Sequence, residues 1–565
     1  MDSNTTGGLQ THDAPRWLVS AVAALAFHAA IQPFELLDVL LWQISGVFGV
    51  SAIAIFCVDV QFLHSSPSHA AWNLAVSATS FATTLAASIL IYRAFFHRLR
   101  KLPGPPVAKL TKFWSVYHSS KAFQYRLKLE ELHKEYGDVV RTGPREVSIA
   151  RVSALPQVAS FRKTMLYQQT DWKQERIGML ATRDFEDHRR RRRPWEMAVT
   201  MKELTKYDAE MQRTIGLFLD QISCERGQRI NITDRIAWLT YDLMGVIGFG
   251  KDFGNLRSAK ESPAIKGLRT AMASMGILFP VPWLTNVLSH MPGLGDVYWG
   301  PFVQYCRQLV EEKQQAFQAD KSEAPKDIIS WLIRAFEEGS PNGAPTPEAL
   351  HEDTRSLVIA GADTTYSALV NAFYYLALNP PIYAKLQADV DGLFPDGDAS
   401  YSHDKAKDIP LLDGIINETL RLKPPIPNGA PRMTPPDGFR IDDDLYIPGN
   451  VDVWMPQWVI QRDERYFERP LEFIPERWIA GHEKAGMVKD RTAFFPFQIG
   501  TYYCVGKQLA MWEMRSVLAR LALRYNIRFA SAADGKDFDE KLLDTWTMAP
   551  PPLGMCFRAR KSSKP

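Results

Sequence analysis

The chain has 565 residues and a formal net charge of +3, with 66 Lys and Arg against 63 Asp and Glu. This length supports a large core and more than one structural unit, and the near balance of charge gives no strong attraction to nucleic acid. The 5 cysteines are scattered without paired spacing. Neither a disulfide framework nor a zinc site is indicated, and a reducing, cytosol-facing catalytic part fits best.

The N-terminal part is apolar in long runs. Residues 39–58 and 72–92 carry no charged side chain, and each is close to the roughly 20 residues that cross a bilayer. A shorter run, 17–31, is either a third span or a buried or interfacial piece. The basic segment "RAFFHRLRK" (93–101) follows, and the positive-inside rule places it in the cytoplasm. We therefore expect a membrane anchor of two to three transmembrane helices in residues 1–101.

The proline-dense stretch "LPGPP" (102–106) predicts a short, stiff lead into a second domain, residues 102–565. The pattern beyond it is mainly helical and lacks the strand-helix alternation of a parallel sheet. The sequence predicts a mainly α fold with small β-sheets. Long helical patterns cover 122–136, 204–224, 301–318, 350–378 and 506–525, and strand-like pieces cover 138–143 and 145–151.

A basic run, "HRRRRRPWEMAV" (188–199), lies within a helical pattern. Such a run is usually a solvated face or an import-type patch. His188 and Arg192 are four residues apart and share one side of the helix, so an alternative is that this side points inward at an anionic group. The remaining arginines are expected to face solvent or an acidic partner.

A long apolar helix is predicted over 355–380, and its middle reads "AGADTT". Gly361 and two threonines weaken a helix there, and Asp363 places an acid in an apolar stretch. Local rules are often broken at functional sites. The alternative is an Asp-Thr pair that satisfies its own backbone.

Two further segments, "NETLRL" (417–422) and "PERW" (475–478), carry a possible charge cluster. Glu418 and Arg421 are three residues apart on one helix face, which is either an ordinary surface pair or, given the apolar flanks, a buried one. With Arg477 they would form a structural lock rather than a catalytic group.

Cys504 lies in "FPFQIGTYYCVGKQLA" (495–510), between Gly500 and Gly506 and just before a helical run. A phosphate loop is excluded by the glycine spacing and by Gln508 after the lysine. A buried structural thiol remains possible. The alternative is a thiolate metal ligand, because helix N-terminal amides stabilise a sulfur anion. Gly506 would leave room for a flat ligand, which indicates haem iron bound through Cys504.

These motifs, in this order, resemble those of the cytochrome P450 family over about residues 100–560. The cysteine loop matches F-x-x-G-x-(Arg or His)-x-C-x-G except at Tyr502, and "AGADTT", "ETLR" and "PERW" match the oxygen-activation helix, the E-x-x-R helix and the meander. The resemblance implies the following roles: Cys504 as axial iron ligand; Asp363 and Thr364 in proton delivery; Glu418, Arg421 and Arg477 as a structural triad; Arg432 and, more loosely, His188 and Arg192 as propionate partners.

The resemblance further implies a triangular, mostly helical body that holds haem b and inserts one oxygen atom from dioxygen into a hydrophobic small molecule. The electrons would come from NADPH through a separate membrane-bound cytochrome P450 reductase. "CVGKQLA" and "LPGPP" look most like membrane-bound fungal members that act in secondary metabolism. We expect an endoplasmic reticulum membrane protein with its catalytic domain in the cytosol and no nucleic-acid partner. Three spans would place Asn4 in the lumen.

Alternatives stay open at this point. An isomerase, dehydratase or peroxygenase on the same scaffold often lacks the acid-alcohol pair, which is intact here as Asp363 and Thr364. A non-enzymatic, membrane-tethered haem protein would bind haem without consuming NADPH. The apolar stretch "MGILFPVPWL" (275–284) is either core packing or, by the resemblance, a substrate entrance near the membrane.

Overall fold

The computed structural model describes residues 15–32, 36–168, 177–225, 227–278, 280–291, 295–322 and 324–560. The chain divides into two compact units, Met1–Lys101 and Leu102–Pro565. Asn4 lies outside the described residues.

The first unit is a bundle of apolar helices. Its elements are α1 Arg16–Ile31, α2 Leu36–Gln61 and α3 Pro67–Ile91, which continues as a π-helix at Tyr92–Phe96. Two stretches, Trp42–Gln61 and Pro67–Phe96, are long and apolar enough to cross a membrane, whereas α1 is shorter.

Polar side chains join the three helices of this bundle. Ser80 donates a hydrogen bond to the Trp17 carbonyl (2.7 Å), and His28 lies 2.7 Å from Ser88. From the first contact to the second, the residue number rises in both helices, so α1 and α3 run parallel. Asp59, near the C-terminal end of α2, forms an ion pair with Arg16 at the start of α1.

The second unit is mainly helical, as the sequence predicts. Its helices are α4 Pro106–Leu110, α5 Phe113–Ala122, α6 Tyr125–Tyr136, α7 Leu155–Ser160, α8 Phe185–Ala198, α9 Met201–Cys224, α10 Ile232–Phe249, α11 Asn255–Ser258, α12 Pro263–Leu278, α13 Pro282–His290, α14 Gly295–Ala319, α15 Ile328–Glu337, α16 Pro347–Leu378, α17 Pro380–Leu393, α18 His403–Ala406, α19 Pro410–Leu422, α20 Gln457–Ile460 and α21 Lys507–Arg524.

The strands are short and form small sheets. They are β1 Val139–Gly143, β2 Glu146–Ile149, β3 Arg162–Lys163, β4 Ile230–Asn231, β5 Arg432–Met433, β6 Phe439–Ile441, β7 Leu445–Ile447, β8 Asp452–Trp454, β9 Tyr525–Phe529, β10 Leu543–Thr545, β11 Thr547–Ala549 and β12 Gly554–Ala559. The largest sheet has the order β1-β2-β8-β5-β3, and the others are β4-β12-β9, β6-β7 and β10-β11.

Helix α16 runs through the core and packs against α10. It begins at Thr346, whose hydroxyl accepts from the Ala349 N–H, and its first residue is Pro347. Proline at this position costs no hydrogen bond and presets the helical φ. Most of its C-terminal half is buried, which explains why its apolar residues surround the whole helix.

The helix is continuous through "AGADTT", where the sequence predicts a weakened stretch. Gly361 has a different reason to be glycine. A Cβ added there would lie 2.3 Å from Cε of Met244 in α10. The glycine therefore leaves room for the Met244 side chain against α16, and the helix remains regular.

Candidate functional site

The cysteine loop is shaped by its glycines. Gly500 has φ +71°, and a Cβ there would lie 3.0 Å from the Ala159 carbonyl oxygen, so both conformation and space favour glycine. A 3₁₀ turn, Gly500–Tyr502, then leads to Cys504, whose N–H donates to the Phe497 carbonyl (2.8 Å). Helix α21 begins three residues after the cysteine.

The sulfur of Cys504 faces the start of α21. Its side chain has accessible surface, yet enough protein surrounds it that burial raises the pKa of the thiol. The backbone amides of Gly506 and Lys507 and the charge of Arg192 act in the opposite direction. A Cβ added at Gly506 would meet only this sulfur, at 3.9 Å, and no other atom within 4 Å. The loop therefore offers a thiol beside open space.

Buried polar groups gather around the ring of Tyr502, just before this cysteine. Lys163 Nζ lies 4.6 Å and the Arg432 guanidinium 4.8 Å from the ring centroid. The His188 ring is 4.7 Å away. Strands β3 and β5 place Lys163 and Arg432 opposite each other, whereas α8 supplies His188.

Arg192, one turn beyond His188, joins α8 to the cysteine loop. It donates to the Tyr503 carbonyl (2.8 Å), and its guanidinium lies 4.0 Å over the Tyr503 ring. Glu196 pairs with its Nε at 2.7 Å. This side of α8 thus points inward, as the spacing of His188 and Arg192 predicts.

The basic run contains one departure from expectation. Arg189 and Arg193 are exposed, but Arg191 is buried and pairs with Asp353 of α16 at 2.9 Å. The expectation that it faces solvent is wrong for Arg191, because α8 packs against the core on two sides, and its acidic partner is Asp353 of the same chain.

Several polar atoms around Tyr502 have no hydrogen-bond partner within the described residues. They are Nδ1 of His188, Nη2 of Arg192, Nε of Arg432 and the hydroxyl of Tyr502. Lys163 is 2% exposed and donates to the carbonyls of Met179 and Leu180 (3.3 and 2.6 Å), which leaves one of three ammonium N–H groups. Buried cations need an anionic partner. The two carboxylates of a haem fit this donor set.

The electrostatics of the cluster agree with an anion site. Burial and the charges of Arg432 and Arg192 hold the pKa of Lys163 well below its usual value. Burial, with the charge of Lys163 next in size, lowers the pKa of His188 to about 3. His188 is therefore neutral at pH 7 and offers a hydrogen bond rather than a charge.

The predicted acid-alcohol pair lies on α16 but faces two directions. Asp363 is buried and accepts a hydrogen bond from Tyr241 of α10 (2.5 Å). Thr364 is half-buried, and its hydroxyl donates to the Ala360 carbonyl (2.7 Å). Burial raises the pKa of Asp363 to about 6, against the opposing effect of the Tyr241 hydrogen bond. The carboxyl is thus poised between its charged and neutral forms near neutral pH.

Glu418, Arg421 and Arg477 come together away from this pair. Arg421 makes a bidentate pair with Glu418, both bonds 2.9 Å, and Arg477 Nε lies 3.1 Å from Glu418. All three side chains are fully buried. Arg421 also donates to the carbonyls of Gln461 and Pro470. The cluster ties α19 to the long segment that leads to the cysteine loop.

A cavity opens beside these elements and includes part of the predicted 275–284 stretch. Gly276 and Pro280 line it with Asn428, Trp454 and Trp546. Trp546 contacts the ring of Tyr167 (centroids 6.5 Å apart), and the Tyr167 hydroxyl accepts from Arg432 (3.3 Å). Through Tyr167, Arg432 thus links this cavity to the buried cations near Tyr502 (Lys163, Arg192 and Arg432), which we call the cation cluster.

A buried positive cluster beside a cysteine at a helix start is what a protein needs to hold a haem by its carboxylates and its iron. The fold and site thus define a haem-thiolate type of protein.

Comparisons with known proteins support this class. The family model described as Cytochrome P450 matches residues 103–557. The chain is 34% identical over 484 residues to Cytochrome P450 monooxygenase orf5 of Eupenicillium brefeldianum, covering 84% of this chain and 94% of that protein. It is 34% identical to Tryprostatin B 6-hydroxylase of Aspergillus fumigatus, covering 80% and 79%. The cytochrome P450DA heme domain has the same fold, with TM-score 0.67, 18% identity, and 82% and 98% coverage.

The chain belongs to the cytochrome P450 family. It is an oxidoreductase, and its relatives are named as fungal monooxygenases.

Sequence reasoning missed two residues of this site, Lys163 and Tyr241. A lysine in "SFRKTM" gives no signal of burial, since lysine is almost always exposed. Tyr241 lies in a helix whose residues are nearly all buried, so nothing in the pattern distinguishes it.

Proposed function

We propose that this protein inserts one oxygen atom from dioxygen into a hydrophobic small molecule of fungal secondary metabolism. The observation that carries the proposal is Cys504 just before α21, next to buried cations whose donors have no partner among the residues that the structure describes. The names of the relatives support the reaction type, and two of them hydroxylate tryprostatin B by name. The cavity offers apolar surface from Trp454 and Trp546, which suits the hydrophobic part of a substrate, and its lining also includes the charged side chains of Lys112, Glu146 and Asp544.

Each residue of the site would bind a different part of the haem, according to its chemistry. The Cys504 thiolate would bind the iron of haem b, since a coordinating thiol loses its proton. Arg192, Arg432 and Lys163 would hold the carboxylates by charge, and His188 and Tyr502 by hydrogen bonds. The open side of Gly506 would accept the flat ring. When bound, the haem supplies reductive activation of dioxygen with two electrons.

Proton supply falls to α16. Asp363 is buried with a pKa near neutrality, which suits a group that takes and gives protons at pH 7. The Thr364 hydroxyl on the neighbouring side of the helix holds a proton at a fixed place. Glu418, Arg421 and Arg477 would act only by holding the segment before the cysteine loop.

We also propose that the two electrons come from NADPH through a separate membrane-bound cytochrome P450 reductase. The two long apolar helices of residues 1–101 support attachment to a bilayer, and the basic segment 93–101 supports a cytosolic catalytic domain. The endoplasmic reticulum is the membrane where both would meet.

The test begins with the metabolites of the host with and without this gene, where a precursor accumulates in its absence. The purified protein, the reductase and NADPH are then given that precursor or tryprostatin B under ¹⁸O-labelled dioxygen. We expect one labelled oxygen atom in the product and no conversion by Cys504→Ser, whose reduced carbon monoxide complex also loses its long-wavelength Soret band. Conversion of the precursor without label would show an isomerase or dehydratase instead.

A further inference from the structure

The acid on α16 is bonded to a side chain that the cytochrome P450 motifs do not include. Tyr241 is 1% exposed and Asp363 is 6% exposed, and the phenol donates to Oδ1 of the carboxyl at 2.5 Å. Nearby, Gly361 of α16 packs against the side chain of Met244 of α10. The tyrosine and the acid therefore meet inside the α10–α16 contact.

This hydrogen bond holds the Asp363 carboxyl on a different side of α16 from the Thr364 hydroxyl. Successive residues of a helix point about 100° apart, so Asp363 faces α10 while Thr364 faces another side. Thr364 donates to the carbonyl of Ala360. A proton held by Asp363 can pass toward Thr364 only if the carboxyl turns away from Tyr241 or a water bridges the gap.

We propose that Tyr241 is a positioning residue that holds the Asp363 carboxyl on the α10 side of the helix between proton transfers. The hydrogen bond favours the charged carboxylate, which then takes up a proton and, once neutral, leaves the phenol more readily. Tyr241 keeps its own proton throughout, since burial and the adjacent carboxyl raise its pKa well above the usual value. The inference rests on the proposed proton-delivery role of Asp363.

Charged groups near this pair connect it to the surface. Arg269 of α12 is half-buried and pairs with Glu261 at 2.8 Å. The charge of Arg269 lowers the pKa of Asp363 and that of Glu261 raises it, both less than burial and the Tyr241 bond do. Arg269 also lies 5.6 Å over the ring of Tyr366, one turn along α16. Tyr241, Arg269 and Glu261 are thus the groups that act on the pKa of Asp363.

Tyr366 provides a matched control. It is a buried tyrosine in the same environment, but its hydroxyl has no hydrogen-bond partner within the described residues. Tyr366→Phe and Tyr241→Phe remove the same atom from neighbouring positions, and only the second removes a bond to Asp363.

The first experiment measures the carboxyl directly, without a substrate. Infrared difference spectra of the full-length haem-loaded protein give the carbonyl stretch of protonated Asp363, identified as the band missing in Asp363→Asn. Loss of a charge-assisted hydrogen bond should move its titration midpoint up by about one pH unit in Tyr241→Phe. Tyr366→Phe should leave the midpoint unchanged. An unchanged midpoint in Tyr241→Phe would overturn the proposal.

The second experiment measures the consequence for proton delivery. With reductase and NADPH, the fraction of electrons lost as hydrogen peroxide should rise in Tyr241→Phe, with a shifted pH profile. It should rise no further in Tyr241→Phe/Asp363→Asn than in Asp363→Asn alone. Additive effects would overturn the positioning role. If Asp363→Asn alone leaves the peroxide fraction unchanged, the proposed role of Asp363 fails, and the infrared result still decides the Tyr241 contact.

Discussion

Lys163 and Arg432 lie opposite each other on the paired strands β3 and β5, and both charged groups rest within 5 Å of the Tyr502 ring centroid. The cytochrome P450 pattern has Arg or His where this chain has Tyr502. An aromatic ring attracts cations to its face. The Tyr502 ring therefore positions the charged groups of Lys163 and Arg432. An Arg or His at this position would instead carry a charge of its own.

Haem retention should depend on Lys163. If Lys163 binds a haem carboxylate as proposed, Lys163→Met would remove a charge-assisted bond, which we expect to weaken haem binding by about ten- to a hundredfold. The measurement is haem released to apomyoglobin over time from the purified protein. Lys163→Arg keeps the charge and should retain most of the haem; equal loss from both variants would show a packing effect.

Arg432→Ala should lose haem for the same reason, and adding Tyr502→Arg should restore part of it. The arginine would return a cation to the place where the family pattern has one. Haem content per protein after purification measures the rescue. No rescue in the double variant would mean that the two side chains do not share a carboxylate.

The Glu418 cluster should govern stability rather than chemistry. Arg477→Met leaves Glu418 buried with half its charge partners, and breaking such a buried pair costs about 3–5 kcal/mol. The midpoint of urea unfolding, followed by haem absorbance and by circular dichroism, should fall accordingly. Arg213→Met is the control, because Arg213 pairs with Glu210 on an exposed face of α9. Equal effects of both changes would contradict the prediction.

Glu513 of α21 should make stability fall as pH rises. It is 1% exposed, and burial raises its pKa from 4.5 to about 8, although Thr365 donates a hydrogen bond to it. Between these two values the folded protein binds a proton that the unfolded chain has released. The free energy of unfolding should therefore fall by about 1.4 kcal/mol per pH unit within that window.

Glu513→Gln should flatten this pH dependence, since the amide stays neutral in both states. Unfolding midpoints at several pH values between 5 and 8 give the slope. Glu210→Gln, on an exposed face, should leave it as in the wild type. A Glu513→Gln protein with the full wild-type slope would assign the effect to other groups.

The anchor should leave the N-terminus in the lumen. Because α1 runs parallel to α3, and α3 ends before the basic segment 93–101, a third span would place residue 4 on the opposite side from the catalytic domain. Asn4, in "NTT", should then carry an N-glycan that endoglycosidase removes and that Asn4→Gln lacks. Asn231 and Asn417 should stay bare. A tag at residue 1 that protease digests in intact microsomes would contradict this topology.

Apolar spacing along the chain predicted the long helices, because their formation depends mainly on neighbouring residues. Helices α16 and α21 follow from the apolar spacing over 350–378 and 506–525. Gly361 shows what such patterns do not predict. A glycine indicates a weak helix locally, whereas the helix is regular and the glycine makes room for the Met244 side chain. Lys163 and Tyr241 acquire their roles only through neighbours far along the chain, which a single sequence does not reveal.

The cation cluster has a consequence for how the protein is made. Lys163, His188 and Arg192 leave the ribosome early, whereas Arg432, Tyr502 and Cys504 leave it near the end of synthesis. The β3–β5 pair that aligns Lys163 with Arg432 cannot form until most of the chain has emerged. The apolar helices of residues 1–101 come first, so a chain anchored by them would be held at the bilayer well before its haem site is complete. Haem would then be captured late, once most of the chain has been made.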